Sequence, residues 1–291
     1  MKTILVAGAT GLLGSSLIPF LKTQGHAVVT QARAGGADFL VELADRNKVF
    51  EMLAQIQPKV IINLVGLTSV ELCQEQPNEA YLANTRAVEN LTHWILQTGA
   101  TCHLVQISTD HVYDGMGLHT EDQVTLTNNY AFSKYAGELA AAQVPSTILR
   151  TNFIGPSKTH NRESLTDWVY TSLTSGKHIQ VLKDVFFSPL SMTTLAEMIQ
   201  LVIERKPLGI FNLGSHNGMS KADLDFAFAE CLELVTNTMS PIDSSEATFL
   251  KVYRPKDMRM DCSKLENTLG IKLPLLRDEI KRVAREYHGV T

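Results

Sequence analysis

The chain has 291 residues, 44% of them hydrophobic and 19% charged, with 26 Lys and Arg against 30 Asp and Glu and a formal net charge of −4. That balance suits a folded protein with a sizeable core and excludes a global basic field for nucleic acid or an anionic membrane surface. Cys73, Cys102, Cys231 and Cys262 lack CxxC spacing, no apolar run is long enough to span a bilayer, and no signal-peptide pattern precedes the first strand. A disulfide framework, a metal site and a membrane span are therefore not expected, and the expected compartment is the cytoplasm.

Read in chain order, Thr3–Ala7 predicts a strand, 12–24 a helix and 27–31 a second strand. Helical spacing returns over 46–55, a buried strand over 59–64, and one long helix over 78–98. A strand at 102–108, a helix at 130–142 and a strand at 146–150 come next. Strands alternating with helices predict an α/β fold of Rossmann type, a doubly wound parallel sheet covered on both faces. Past residue 155 the pattern becomes irregular. Helices are expected near 165–175, 193–204, 221–234 and 276–287, and a strand at 209–213 that rejoins the sheet. The expected organisation is a nucleotide-binding domain over 1–155, rejoined by about 183–214. The remaining segments of 156–291 form a smaller substrate-binding lobe.

The first strand runs into "VAGATGLLG", Val6–Gly14. Gly8 permits a tight turn, Gly11 lets the backbone approach a pyrophosphate, and Gly14 lets the helix pack close to the strand. The helix start, including Thr10, Leu12 and Leu13, offers free N–H groups and partial positive charge to phosphates. The spacing is GxxGxxG, one residue longer than GxGxxG. The second strand ends Val29-Thr30-Gln31-Ala32-Arg33, with no carboxylate to hold a ribose 2′-OH and one arginine that suits a 2′-phosphate. NADP(H) is favoured on that ground, with NAD(H) the other candidate.

"QISTDHVYDG" (Gln106–Gly115) leaves a buried strand at the end where ligands bind in such sheets. "NNYAFSKYAGE" (Asn128–Glu138) comes after it, with Tyr130 and Lys134 on one helix face about 6 Å apart along the axis. A phenol titrates near ~10, and a neighbouring ammonium favours its ionised form. The phenol then suits proton exchange with a sugar oxygen, while Ser108 or Thr109 holds the carbonyl.

These segments together resemble the extended short-chain dehydrogenase/reductase family, and within it the dTDP-4-dehydrorhamnose reductases, over nearly the whole chain. That group's STDYVFDG is matched by "STDHVYDG" (Ser108–Gly115), and its PxNxYGxSKxxGE by "LTNNYAFSKYAGE" (Leu126–Glu138). Its INxAAxTxVDxxE is matched by "INLVGLTSVELCQE" (Ile62–Glu75), and its LRTxxxYG by "LRTNFIG" (Leu149–Gly155). "RPKDMRMDCSKLENTLG" (Arg254–Gly270) resembles its Arg-Pro segment near the sugar nucleotide. The resemblance implies NADPH-dependent reduction of a nucleotide-activated 4-keto-6-deoxy sugar in deoxysugar and cell-surface polysaccharide biosynthesis. It makes Tyr130 the acid, Lys134 its activator and Thr109 the hydroxyl. It sets Asn63, Val65 and Gly66 beside the cofactor. The expected substrate contacts are Ser108, Thr109, Asp110, His111, Asn152, Trp168, Arg254 and Arg259. A two-fold homodimer through the helices at 78–98 and 130–142 is implied as well.

Three positions depart from the pattern. His111 stands for a tyrosine, Ala131 for a glycine, and Val65-Gly66 for Ala-Ala. His111 also occupies the place where the family's dehydratases carry an acid, which argues against dehydration. Asp110 with Asp114 is an alternative acid/base pair, though such residues after a strand more often cap backbone donors. Trp94 reads as core. The rival readings are an epimerase, which needs a further acid/base group, and an NADP-binding regulatory subunit without turnover.

Overall fold

The computed structural model describes residues 3–159 and 162–289. The elements are β1 (Thr3–Ala7), α1 (Leu12–Thr23), β2 (Ala27–Ala32), β3 (Phe39–Leu40), α2 (Arg46–Ile56), β4 (Val60–Asn63), α3 (Val70–Glu75), α4 (Pro77–Tyr81), α5 (Ala87–Thr98), β5 (His103–Thr109), α6 (Asn129–Ala141) and β6 (Ser146–Thr151). They continue with β7 (Phe153–Ile154), α7 (Leu165–Thr174), β8 (Ile179–Leu182), β9 (Phe186–Phe187), β10 (Leu190–Ser191), α8 (Met192–Arg205), β11 (Gly209–Leu213), β12 (Met219–Ser220), α9 (Lys221–Cys231), β13 (Met239–Ile242), α10 (Ser263–Leu269) and α11 (Leu276–Tyr287).

Seven strands form one sheet in the order β11-β6-β5-β4-β1-β2-β3. β1 runs parallel to both β2 and β4, with Leu5 opposite Val29 on one side and Ile61 on the other. The chain order therefore reverses at β1, and the crevice beyond its carboxyl end is where such sheets bind ligands. β4 is buried at every residue, as an apolar run covered on both faces must be. The strand expected at 209–213 does rejoin the sheet, as β11 beside β6.

Two compact units share the chain. Unit 1 comprises 1–109, 128–150 and 196–211; unit 2 comprises 110–127, 151–195 and 212–291. The core of unit 1 gathers Leu5, Ile61, Leu91, Trp94, Leu104 and Ile148. Each such side chain contributes roughly 1.5–3 kcal/mol on burial. Trp94 is thus a core residue. The core of unit 2 gathers Val169, Val181, Phe187, Phe228, Ile280 and Val283 around the parallel pair β8 and β13. α11 supplies its buried stripe at Leu276, Ile280, Val283 and Ala284, the spacing of one helix face.

The helix expected over 78–98 is not uniform. α4 and α5 are joined by a π-helical turn, Leu82–Arg86. One inserted residue rotates α5 relative to α4, a device found often at functional sites. The helix expected over 221–234 ends earlier, at Cys231.

Candidate active site and nucleotide cavity

In unit 1 the glycine loop is fixed from behind. The Gly8 amide donates to the Gln31 carbonyl at 3.0 Å and to Gln31 Oε1 at 3.1 Å. Gly8 has φ +80°, and a Cβ there would meet the Val65 amide nitrogen at 3.0 Å. A Cβ on Gly14 would lie 2.4 Å from the Ala9 carbonyl oxygen, so any side chain would push α1 off the loop. No side chain caps α1 at Gly11, and its first turn carries no acid. These amides are free of an internal anion and fit a phosphate. Thr10 is exposed, whereas the side chain of Leu13 belongs to the core, so its backbone is the part a ligand can use. Arg33 follows β2 and is exposed. A carboxylate bonded to β2, Asp38, is held by the Thr30 amide and hydroxyl, at 2.9 and 2.7 Å, which keep it below the usual carboxylate range.

α6 starts at an Asn128 cap, whose side chain accepts from the Ala131 amide at 2.9 Å. Tyr130 and Lys134 then share one face of α6, and both are buried. Lys134 Nζ donates to the Ile107 carbonyl at 2.8 Å, which ties the helix to β5 two residues before Thr109. Burial pushes the Lys134 ammonium down to about 8, with the charge of Glu138 opposing. Cys73 is itself pushed up to about 11 by burial, with Lys134 opposing, so the thiol stays protonated at neutral pH.

One residue of this site was not apparent from the sequence. Asn84, in the π-turn, accepts from the Leu67 amide at 2.8 Å and donates to the Leu67 carbonyl at 3.1 Å and Ser133 Oγ at 2.9 Å. It stitches the loop after β4 to the helix that bears Tyr130 and Lys134. Gly137 permits this approach, because a Cβ there would fall 2.3 Å from the Asn84 carbonyl oxygen. A Cβ on Gly66 would meet Asn84 Oδ1 at 3.0 Å and Lys134 Nζ at 3.7 Å, so Gly66 borders the lysine.

Three expected contacts are taken up inside the protein instead. Ser108 Oγ donates to Glu138, which also forms a buried ion pair with Arg150 at 2.7 Å. Asn63 is fully buried, donates to Gln106 Oε1 at 2.8 Å and accepts from the Val65 amide at 3.2 Å. It shapes the loop after β4 from within. Arg259 pairs with Asp257 at 2.6 Å, through Nε and one Nη, and covers the Phe186 ring.

Unit 2 holds a cavity of about 650 Å³, lined on its apolar side by Leu165, Trp168, Val181 and Phe249 and on its polar side by Lys221, Asp225 and Arg254. That size suits a small-molecule site. Trp168 and Arg254 were expected there; Lys221 and Asp225 were not. Asp110 accepts from Asn152 Nδ2 at 2.8 Å, and the Asn152 Oδ1 accepts from the Phe153 amide. His111 follows Asp110 in a 3-10 turn, and burial together with Lys221 and Arg254 pushes its imidazole down to about 3. Asp114 accepts from the amides of Gly115 and Lys256 and the Tyr253 hydroxyl, the capping role rather than acid/base work. Among the described residues no group of three or more His, Cys, Asp or Glu is placed to hold a metal ion, and no helix is long and apolar enough to cross a membrane.

A Rossmann-type sheet, a phosphate-ready loop at its switch point and a buried Tyr–Lys helix pair define a protein of the nucleotide-dependent dehydrogenase/reductase kind. More narrowly, the chain belongs to the RmlD substrate binding domain family, which matches residues 1–288. A probable low-salt glycan biosynthesis reductase of Haloferax volcanii is 28% identical, covering 94% of this chain and 95% of that protein. The methionine adenosyltransferase 2 subunit beta of Pongo abelii is 29% identical, over 93% and 83%. A dTDP-4-dehydrorhamnose reductase of Sinorhizobium fredii is 28% identical, over 90% and 91%. Among solved structures, the dTDP-4-dehydrorhamnose reductase of Bacillus anthracis in complex with NADP superposes with a TM-score of 0.88 at 21% identity, over 98% and 99% of the two chains. The fold is that of these reductases.

Proposed function

We propose that the protein reduces the keto group of a nucleotide-activated 4-keto-6-deoxy sugar. The observation that carries this is Tyr130 and Lys134 on one buried helix face, with Lys134 tied to the strand that ends in Thr109. NADPH, held by the amides of Gly8 to Gly14 and by Arg33, would supply the hydride. Tyr130 gives its proton to the carbonyl oxygen as that oxygen gains negative charge. Lys134, cationic at neutral pH, stabilises the phenolate that remains. Thr109 donates a hydrogen bond that orients the same oxygen. In unit 2, the apolar wall with Trp168 takes the base and Arg254 takes the diphosphate through its fork of donors. Asn152 and Asp110 bind each other, and their role is to position the segments that carry them.

The reading includes a cytoplasmic enzyme and a two-fold dimer through α5 and α6, where Leu96, Phe132 and Leu139 stand exposed. Light scattering tests the dimer, and a monomer at micromolar concentration removes it.

The regulatory reading gains weight from the methionine adenosyltransferase subunit relatives. The intact Thr109, Tyr130 and Lys134 favour turnover. The test uses NADPH deuterated at the transferable position with a dTDP-4-keto-6-deoxy sugar in D₂O. Deuterium from the cofactor at C4 alone is expected. Solvent deuterium at neighbouring carbons would instead identify an epimerase, and no label in the sugar would favour the regulatory subunit.

A further inference from the structure

The cavity of unit 2 has a charged end that keto-sugar reduction leaves partly unexplained. Lys221 and Asp225 are four residues apart on α9, so their side chains leave one face of the helix, and both line the cavity with Arg254. Asp225 is 2% exposed, and its Oδ1 meets no hydrogen-bond partner among the described residues. A buried oxygen left in that state is costly, so the site is incomplete without a ligand or a proton. Burial pushes the Asp225 carboxyl up to about 8, with Lys221 opposing. Burial also pushes the Lys221 ammonium down, Asp110 and Asp225 pull it back up, and Arg254 lowers it further.

The other charged or titratable groups on the cavity wall are Lys177 and His178, just ahead of β8. α7 presents Leu165 and Trp168. α11 meets α9 through Tyr287 against Phe228, and the Tyr287 hydroxyl is held by Asp167 and Thr166. Asp225 is therefore the carboxylate of a wall whose cations are Lys177, Lys221 and Arg254, with His178, Gln180 and apolar groups beside them.

We propose, resting on the nucleotide-sugar reading, that Lys221 and Asp225 are a proton-linked specificity pair for the substrate diphosphate. Lys221 joins Arg254 on the phosphate oxygens. As the doubly negative diphosphate arrives, the Asp225 carboxylate takes one proton from solvent, because a second anion in the same cavity disfavours its charged form. The protonated Asp225 then presents an O–H donor to the ligand in place of a repelling charge. A ligand without the diphosphate gains nothing from the pair.

Calorimetric titration of the NADP⁺-loaded protein with dTDP-glucose and UDP-glucose, near pH 8 in buffers of different ionisation enthalpy, tests this. The wild type is expected to take up about half a proton on binding, the carboxyl being about half protonated there beforehand, and its affinity to fall by up to about tenfold per pH unit above the carboxyl's value. Asp225→Asn is expected to abolish the uptake and flatten that pH dependence. Lys221→Met should weaken binding by about tenfold or more, the scale of a lost charged hydrogen bond, while leaving thymidine and uridine binding unchanged. Unchanged NADP⁺ affinity in each variant shows that it folds, and Lys221→Gln stands in if Lys221→Met does not. Proton uptake that persists in Asp225→Asn would overturn the proposal, as would wild-type affinity in the Lys221 variants or no binding of either nucleotide sugar. Proton-linked binding without keto-sugar turnover would defeat the reductase reading and leave the pair standing. Turnover without proton uptake would do the reverse.

Discussion

In the proposed mechanism the chemistry turns on the lysine of α6, and its burial sets a pH range. Lys134 is buried and pushed down to about 8, so its charge is present below that value and lost above it. kcat at saturating keto sugar is therefore predicted to fall above about pH 8, by up to about tenfold per unit. Lys134→Arg, whose charge does not titrate there, should flatten that limb even at a lower rate. A wild-type profile that stays flat through this range would contradict the role assigned to the ammonium. The Tyr–Lys pair was legible in the sequence because both partners lie on one helix turn. The Ser108–Glu138 bond was not, because its partners lie thirty residues apart, and the preference for Thr109 over Ser108 came from the resemblance alone. Lys221 and Asp225 escaped for the same reason. They are also four apart, but only the fold assembles a cavity wall from residues 165–182, 221–225 and 249–254.

At the scale of elements, α6 is held by two contacts that make separate predictions. Gly137 lies where any Cβ would strike the Asn84 carbonyl oxygen, which is backbone and cannot turn away. Gly137→Ala should force α6 from the π-turn, costing about 1–3 kcal/mol of stability and lowering kcat, because Lys134 moves with the helix. A thermal melt and a rate like the wild type's would show that the close approach is dispensable. The second contact is the Glu138–Arg150 pair, both partners essentially out of solvent. Glu138→Gln leaves the guanidinium without its countercharge and is predicted to cost about 3–5 kcal/mol in urea unfolding at unchanged m. A loss below about 1 kcal/mol would contradict this dependence of Arg150 on the carboxylate's charge. Neither contact was visible in the sequence beyond the letters G and E after the lysine. The π-turn lies inside a helical pattern that reads as continuous, because one extra residue per turn hardly disturbs the apolar spacing of 78–98.

For the whole molecule, the alternation of strands and helices made the sheet and its glycine loop readable, since period and turn chemistry are local. Unit 2 was much less readable. Its short strands pair across long separations, as Met239 does with Ile179, and leave little periodicity to detect. Its segments at 110–127, 151–195 and 212–291 are interrupted by unit 1. Keto-sugar reduction with Tyr130 as the acid is tested by a single comparison. NADPH absorbance is followed with a dTDP-4-keto-6-deoxy sugar for the wild type and for Tyr130→Phe, with NADPH binding measured separately for each. The account predicts turnover by the wild type, a loss of roughly 10²-fold or more in the variant, and equal cofactor affinity. Wild-type protein that binds NADPH and reduces neither this sugar nor related keto sugars would contradict it.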